Sequence, residues 1–166
     1  MILQIFVSMV VMDTWQYFAH RLMHANKFLY KHVHSKHHEL VVPYAFGAIY
    51  CHFVEGIILD TGGAFLCVFF SGMTPLTGAI FFSFSFIKTI DDHSSLWLPT
   101  NIFPFVFQNT GAFHELHHQP YGKKYNFSTP FFVTWDKLLG TYLDHTLEKR
   151  KDGGVVVRPV LKGKKY

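Results

Sequence analysis

Apolar and polar positions fall into blocks along this chain rather than alternating. Residues 1–19 (MILQIFVSMVVMDTWQYFA) are apolar with scattered polar positions, and residues 20–43 are polar and His-rich. Apolar blocks return from Ile57 to Phe70 and from Pro75 to Ile90, joined by Ser71-Gly72-Met73-Thr74. Residues 91–130 revert to loop-rich sequence with Pro99, Pro104, Pro120 and Pro130. The first block predicts a helix entering a membrane; it has neither the basic start nor the small-residue cleavage site of a signal peptide. The second and third predict a helical hairpin of roughly 21–24 Å per arm, short of the ~30 Å hydrocarbon core. A membrane hairpin therefore requires arms that extend into the interface, and buried helices of a soluble protein are the alternative. Further on, Phe131, Trp135, Leu138 and Tyr142 share one helical face, as in an interfacial helix or an ordinary core element. After Gly153-Gly154 an extended, mobile terminus is expected.

Composition narrows the class. The 166 residues make one domain, 49% hydrophobic and only 16% charged, with 19 Phe, which excludes a disordered chain. Two cysteines, Cys51 and Cys67, lie in apolar stretches without metal-motif spacing, which excludes a disulfide framework. Charge is concentrated at the end: residues 146–166 carry seven Lys/Arg against Glu148 and Asp152, a net of +5. The remaining residues carry eight basic and nine acidic side chains, a net of −1. No aromatic-interleaved basic motif is present, so no nucleic-acid partner is expected. A basic tail beside apolar segments reads as a cytoplasmic flank of a membrane. The terminal Lys162-Gly163-Lys164-Lys165-Tyr166 matches a dilysine retrieval pattern or is simply a solvated basic end.

The candidate chemistry lies in 12 histidines. His20 and His24 are four apart; His34, His37, His38 and His114, His117, His118 each form H-x-x-H-H; His52 and His93 stand between. Spacings of three and four share a helical face, so each cluster can aim its imidazoles at one point. Two such motifs arise by chance in about 0.002 of chains of this His content, which points to metal. On the first helix Asp13, Tyr17, His20 and His24 fall within about 60° of one another. Ligating imidazoles donate their other N–H to an acceptor, so Asp13 and Tyr17 are candidate orienting groups. Asp91-Asp92 beside His93, and Glu55 after His52, are others. Eight to ten imidazoles without paired Cys exceed one zinc site and fit two metals with open positions. His114-Glu115-Leu116-His117-His118 has the wrong spacing for a zinc protease. His32 and His145 read as ordinary surface residues.

The stretches Asp13–His24, Leu29–His38, Val42–Ala48, Lys88–His93, His117–Gly122 and Lys124–Ser128 resemble the fatty acid hydroxylase superfamily. They are most similar to its plant-type sphingoid base C4-hydroxylase branch. The resemblance covers nearly the whole chain. It implies an all-α fold: multi-pass membrane helices with a cytosolic His-rich di-metal cap, in the endoplasmic reticulum, with active site and C-terminus cytosolic. Residues 1–145 would be the hydroxylase domain and residues 146–166 a basic cytosolic tail. Two non-haem iron ions would be held by His20, His24, His34, His37, His38, His52, His93, His114, His117 and His118, with Asp13, Tyr17 and Asp92 behind them. The implied reaction inserts one oxygen of O₂ at C4 of sphinganine or dihydroceramide. Cytochrome b5 and its reductase would supply electrons, since no flavin, haem or nicotinamide fingerprint is present.

Family members carry further membrane-embedded sequence before the position of Met1, so an N-terminally shortened form is expected. Phe53, Ser94-Ser95 and Glu39 depart from the usual pattern beside the histidines. Sister activities (sterol C4-methyl oxidation or desaturation) would keep the same histidines. A non-redox, zinc-binding membrane protein and an inactive fragment are the other readings.

Overall fold

The structure is a computed structural model that describes residues 1–95, 101–151 and 154–160. It is mostly helical. Helix α1 (Ile2–Ala25) is a 24-residue run without Gly or Pro. Its exposed side carries Ile2, Leu3, Phe6, Val10, Phe18 and Leu22, whereas Ser8, Met12, Asp13, Tyr17, His20 and Met23 are buried. Asn26 ends α1 and caps α2 (Lys27–His32) by accepting from the Phe28 and Leu29 amides at 2.9 and 3.1 Å. Two 3₁₀ segments follow, His34–Glu39 and Ala45–Ile49.

Next, α3 (Phe53–Gly56), a π-helical turn (Ile57–Thr61) and α4 (Gly62–Ser71) run on as one helix. Gly72, at φ +57°, closes it in the left-handed conformation that glycine adopts without penalty. α5 (Pro75–Ser94) begins with proline in its first turn and Thr74 as cap. Among the described residues, two helices are long and apolar enough to cross a membrane: Ile2–Ala25 and Phe53–Ser71. α5 is of similar length, but Lys88, Asp91, Asp92 and His93 occupy its last two turns.

The two expected hairpin arms do not pack mainly on each other; α4 lies along α1 instead. Small groups at the seam permit this, as in close-packed membrane helices. Cys67 Sγ reaches the Ser8 carbonyl at 3.4 Å, and a Cβ on Gly63 would lie 3.0 Å from both Met12 Sδ and Trp15 Cδ1. Met12, Cys67, Met73, Phe81, Phe107 and Phe131 form the apolar core between α1, α4 and α5.

The rest of the chain caps one end of these helices through α6 (Phe103–Val106), α7 (Gly111–His118) and α8 (Thr134–Leu138). The expected interfacial helix shrinks to the five residues of α8. Phe131 precedes it and is fully buried, whereas Leu138 is exposed, so that face is core at one end only. The all-α expectation also needs correction: β1 (His145–Lys149) and β2 (Val155–Pro159) form an antiparallel hairpin, Leu147 opposite Val157. The β-branched run Val155-Val156-Val157 favours extended backbone. Val157 packs with Ala112, Leu116 and Leu143, so residues 155–159 are docked rather than a free terminus. The dilysine-like residues 162–166 lie outside the described residues.

Of two buried carboxylates, Asp13 ties the cap to α1 and Asp136 ties the cap to itself. Asp13, 2% exposed, accepts from the Phe131 and Phe132 amides at 3.1 and 2.5 Å. Asp136 accepts from the Phe127 and Ser128 amides at 3.0 and 2.7 Å and from the Thr141 hydroxyl at 2.6 Å. Asp13→Ala should therefore cost about 1–3 kcal/mol by orphaning two amides. A lowered thermal midpoint in detergent checks this, and an unchanged midpoint contradicts it.

Candidate metal centre

Four segments bring nine imidazoles together. α1 supplies His20 and His24, the first 3₁₀ segment His34, His37 and His38, α5 His93, and α7 His114, His117 and His118. Their ligand atoms form two groups, each within 4.8 Å: His20, His24, His34, His38, His117; and His37, His93, His114, His118. The two H-x-x-H-H motifs divide reciprocally. In residues 34–38 the outer pair joins the first group and His37 the second; in residues 114–118 the outer pair joins the second group and His117 the first. The 34–38 motif is 3₁₀ rather than α-helical, which changes the angular spacing of its side chains.

Five rings have their tautomer set by what Nδ1 meets. Nδ1–H donates to the carbonyls of Phe127 (from His20, 2.9 Å), Tyr50 (His37, 3.1 Å), Thr89 (His93, 2.8 Å) and Tyr125 (His117, 2.7 Å). His34 Nδ1–H donates to Glu55 Oε1 at 2.7 Å. Carbonyls only accept, so Nε2 of these rings carries a lone pair aimed inward. Within the first group His20 Nε2 faces His34 Nε2 at 3.1 Å, and within the second His37 Nε2 faces His93 Nε2 at 3.4 Å. Two lone pairs facing each other form no hydrogen bond. His117 Nε2 is buried without any partner. A cation at each focus satisfies all of these atoms, so the donor set fits metal ions and suits imidazole-loving ones such as iron or zinc. Burial also lowers the pKa of His34, His37, His38, His114, His117 and His118, which holds them in the neutral, ligating form.

His52 stands apart from both groups. Its Nδ1 accepts from the Val54 amide at 3.2 Å and caps α3. The three carboxylate and phenol groups expected behind the histidines do other work. Asp13 precedes His20 by seven residues, roughly 10 Å along the axis, and binds the 131–132 amides instead. Tyr17 Oη meets Thr141 Oγ1 at 2.9 Å and accepts from Arg21 Nη1 at 2.9 Å. Asp92 is taken by the buried Lys88, which also donates to the Asn109 carbonyl at 3.1 Å. Glu55 does orient an imidazole, but that of His34. The four carbonyl acceptors escaped the sequence because a backbone oxygen has no side-chain signature.

A cavity of about 540 Å³ opens onto both groups, with His20, His34, His37, His93 and His114 in its wall. Met12, Leu59, Ala64, Phe82 and Phe86 make most of it apolar, and Gln16, Glu55 and Asp60 give it a polar side. Such a cavity shields reactive chemistry from water while admitting an apolar chain. The residues that depart from the family pattern lie beside the groups, not in them. Glu39, for example, accepts from the Tyr50 hydroxyl at 2.7 Å.

Comparison with known proteins gives the centre its relatives. The chain is 62% identical over 156 residues to sphinganine C4-monooxygenase 1 of Arabidopsis thaliana, covering 94% of this chain and 60% of that protein. It is 56% identical over 157 residues to very-long-chain aldehyde decarbonylase GL1-9 of Oryza sativa subsp. indica, covering 95% and 61%. It is 49% identical over 140 residues to sphingolipid C4-hydroxylase sur2 of Schizosaccharomyces pombe, covering 84% and 48%. The chain thus spans about 60% of the length of its plant relatives. No solved structure matches it significantly. The fatty acid hydroxylase family model matches residues 5–141, a span that holds every histidine of both groups, and this chain belongs to that family.

Proposed function

We propose that this chain forms the catalytic part of a membrane monooxygenase that uses two iron ions to hydroxylate C4 of sphinganine or dihydroceramide. The observation that carries the reading is the convergence of nine imidazoles in two groups, five of them in the wall of one largely apolar cavity. The names of the Arabidopsis and fission-yeast relatives support the substrate class. Endoplasmic-reticulum residence, a cytosolic cap and electrons from cytochrome b5 and its reductase belong to the same proposal.

When bound, the metal pair supplies the activation of O₂ that an unactivated C–H bond requires. The protein's own part is binding, orientation and exclusion. His20, His24, His34, His38 and His117 hold one ion, and His37, His93, His114 and His118 the other. The carbonyls of Phe127, Tyr50, Thr89 and Tyr125, with Glu55, fix five of those rings. Met12, Leu59 and Phe82 line a path for an acyl chain between helices whose outer faces are apolar. The rice relative's name describes a different reaction on a long-chain lipid, and at 56% identity it supplies the second reading, aldehyde decarbonylation.

Two measurements test these assignments. Metal analysis of the purified chain should find about two ions, falling to about one in His114→Ala with the first group still loaded. A single ion in the unaltered chain would contradict two sites, and zinc in place of iron would favour non-redox binding. In cells lacking C4-hydroxylase, expression should yield 4-hydroxylated long-chain bases by mass spectrometry, and His37→Ala should abolish them. Shortened alkanes would favour decarbonylation instead. A membrane-bound chain without product, beside an active full-length homologue, would mark it as an inactive fragment.

A further inference from the structure

Asp60 is the eighth residue of the 19-residue helix Phe53–Ser71, well inside a segment apolar enough to cross a membrane. A carboxylate at such a position is costly against lipid and is tolerated where it faces a cavity or a partner. Here it lines the cavity that opens onto both histidine groups. Among the described residues no Lys or Arg forms an ion pair with it. Glu55, one turn earlier and 3% exposed, lines the same cavity, and its Oε2 has no hydrogen-bond partner. One side of the chamber therefore presents Asp60, hydrogen-bonded by the Gln16 side chain but without a cationic partner, and an unpartnered oxygen of Glu55.

The backbone beneath Asp60 is built for this placement. Ile57–Thr61 is a π-helical turn, a local widening found frequently at functional sites. Its carbonyls are held from α1: Trp15 Nε1 donates to the Ile58 carbonyl at 2.9 Å and Gln16 Nε2 to the Leu59 carbonyl at 3.2 Å. The helix carrying the His20 and His24 ligands thereby also sets the position of Asp60.

We propose that Asp60, with Glu55 Oε2 beside it, is the recognition site for a cationic amine on the lipid substrate, so that the cavity selects a free long-chain base over its N-acylated form. The inference rests on the sphingoid-base reading above and assigns the part of the site that reads the head group. An ammonium offers N–H donors and the positive charge that this side of the cavity lacks. An amide offers one donor and no charge, and its acyl chain must occupy the same space. Asp60 acts on specificity; the metal groups are complete without it.

The test is equilibrium binding of tritiated sphinganine, N-acetylsphinganine and N,N-dimethylsphinganine to the metal-loaded chain in lipid nanodiscs, with bound metal measured alongside. The unaltered chain should prefer the free base over the N-acetyl form by about tenfold, and the dimethyl form, charged but bulkier, should bind like the free base. Asp60→Asn should remove that preference at unchanged metal content, and Asp60→Glu should keep it. Equal binding of charged and uncharged lipids by the unaltered chain overturns the proposal without any variant. A preserved preference in Asp60→Asn overturns it too, as does loss of metal there, which would make Asp60 structural. If the unaltered chain makes no 4-hydroxylated base in cells, the hydroxylase reading fails while the binding ratio still judges Asp60.

Discussion

Imidazole lone pairs that face one another across about 3 Å, away from water, repel unless a cation lies between them. Both histidine groups are built around such contacts, His20 with His34 and His37 with His93. Each of these rings has its other nitrogen committed to an acceptor, so a turn of the ring would relieve the repulsion only by breaking a hydrogen bond. The arrangement is costly as a packing solution and well suited to receiving metal. Most other polar features of the cap serve to hold it.

The supports are layered. Asp136 gathers the Phe127 and Ser128 amides, which places the Phe127 carbonyl against His20. Asp13 holds the next stretch at Phe131 and Phe132, bringing the same loop to the middle of α1. Asn126, at φ +58°, adds a clamp: its amide nitrogen reaches the Phe113 and Leu143 carbonyls, both at 3.1 Å, and its oxygen takes the Leu143 amide at 2.7 Å. Gly122 leaves no room for a side chain, since a Cβ there would sit 1.7 Å from the Leu116 carbonyl oxygen. This close approach lets the chain turn directly after α7 and bring the Tyr125 carbonyl back to His117. Loop backbone thus acts as the outer layer of the centre.

Much of this was legible beforehand. Histidine spacing identified eight of the nine residues that converge, because side chains three and four apart on a helical turn are neighbours whatever surrounds them; His93 stands alone in the sequence and was named through the family resemblance. His52 and His93 are alike in lacking cluster spacing; His93 joins a group, whereas His52 lies outside both and its ring caps a helix. Asp13, Tyr17 and Asp92 were also misread. Helix-wheel angle says nothing about distance along the axis, nor about which competing donor reaches a carboxylate first. The Val155–Val157 run was a readable strand signal that the Gly153-Gly154 pair obscured.

By itself the sequence determined the histidine clusters, the apolar helices and the family, since these depend on residue type and on local periodicity. Only the tertiary structure decided how each H-x-x-H-H motif divides between two foci, which carbonyl sets each tautomer, and that Asp60 faces the cavity. Some of those outcomes depend on contacts far apart in the chain, such as His93 with His114 and His20 with Phe127, 21 and 107 positions apart. The relative placement of helices selects such contacts, and no local pattern encodes it.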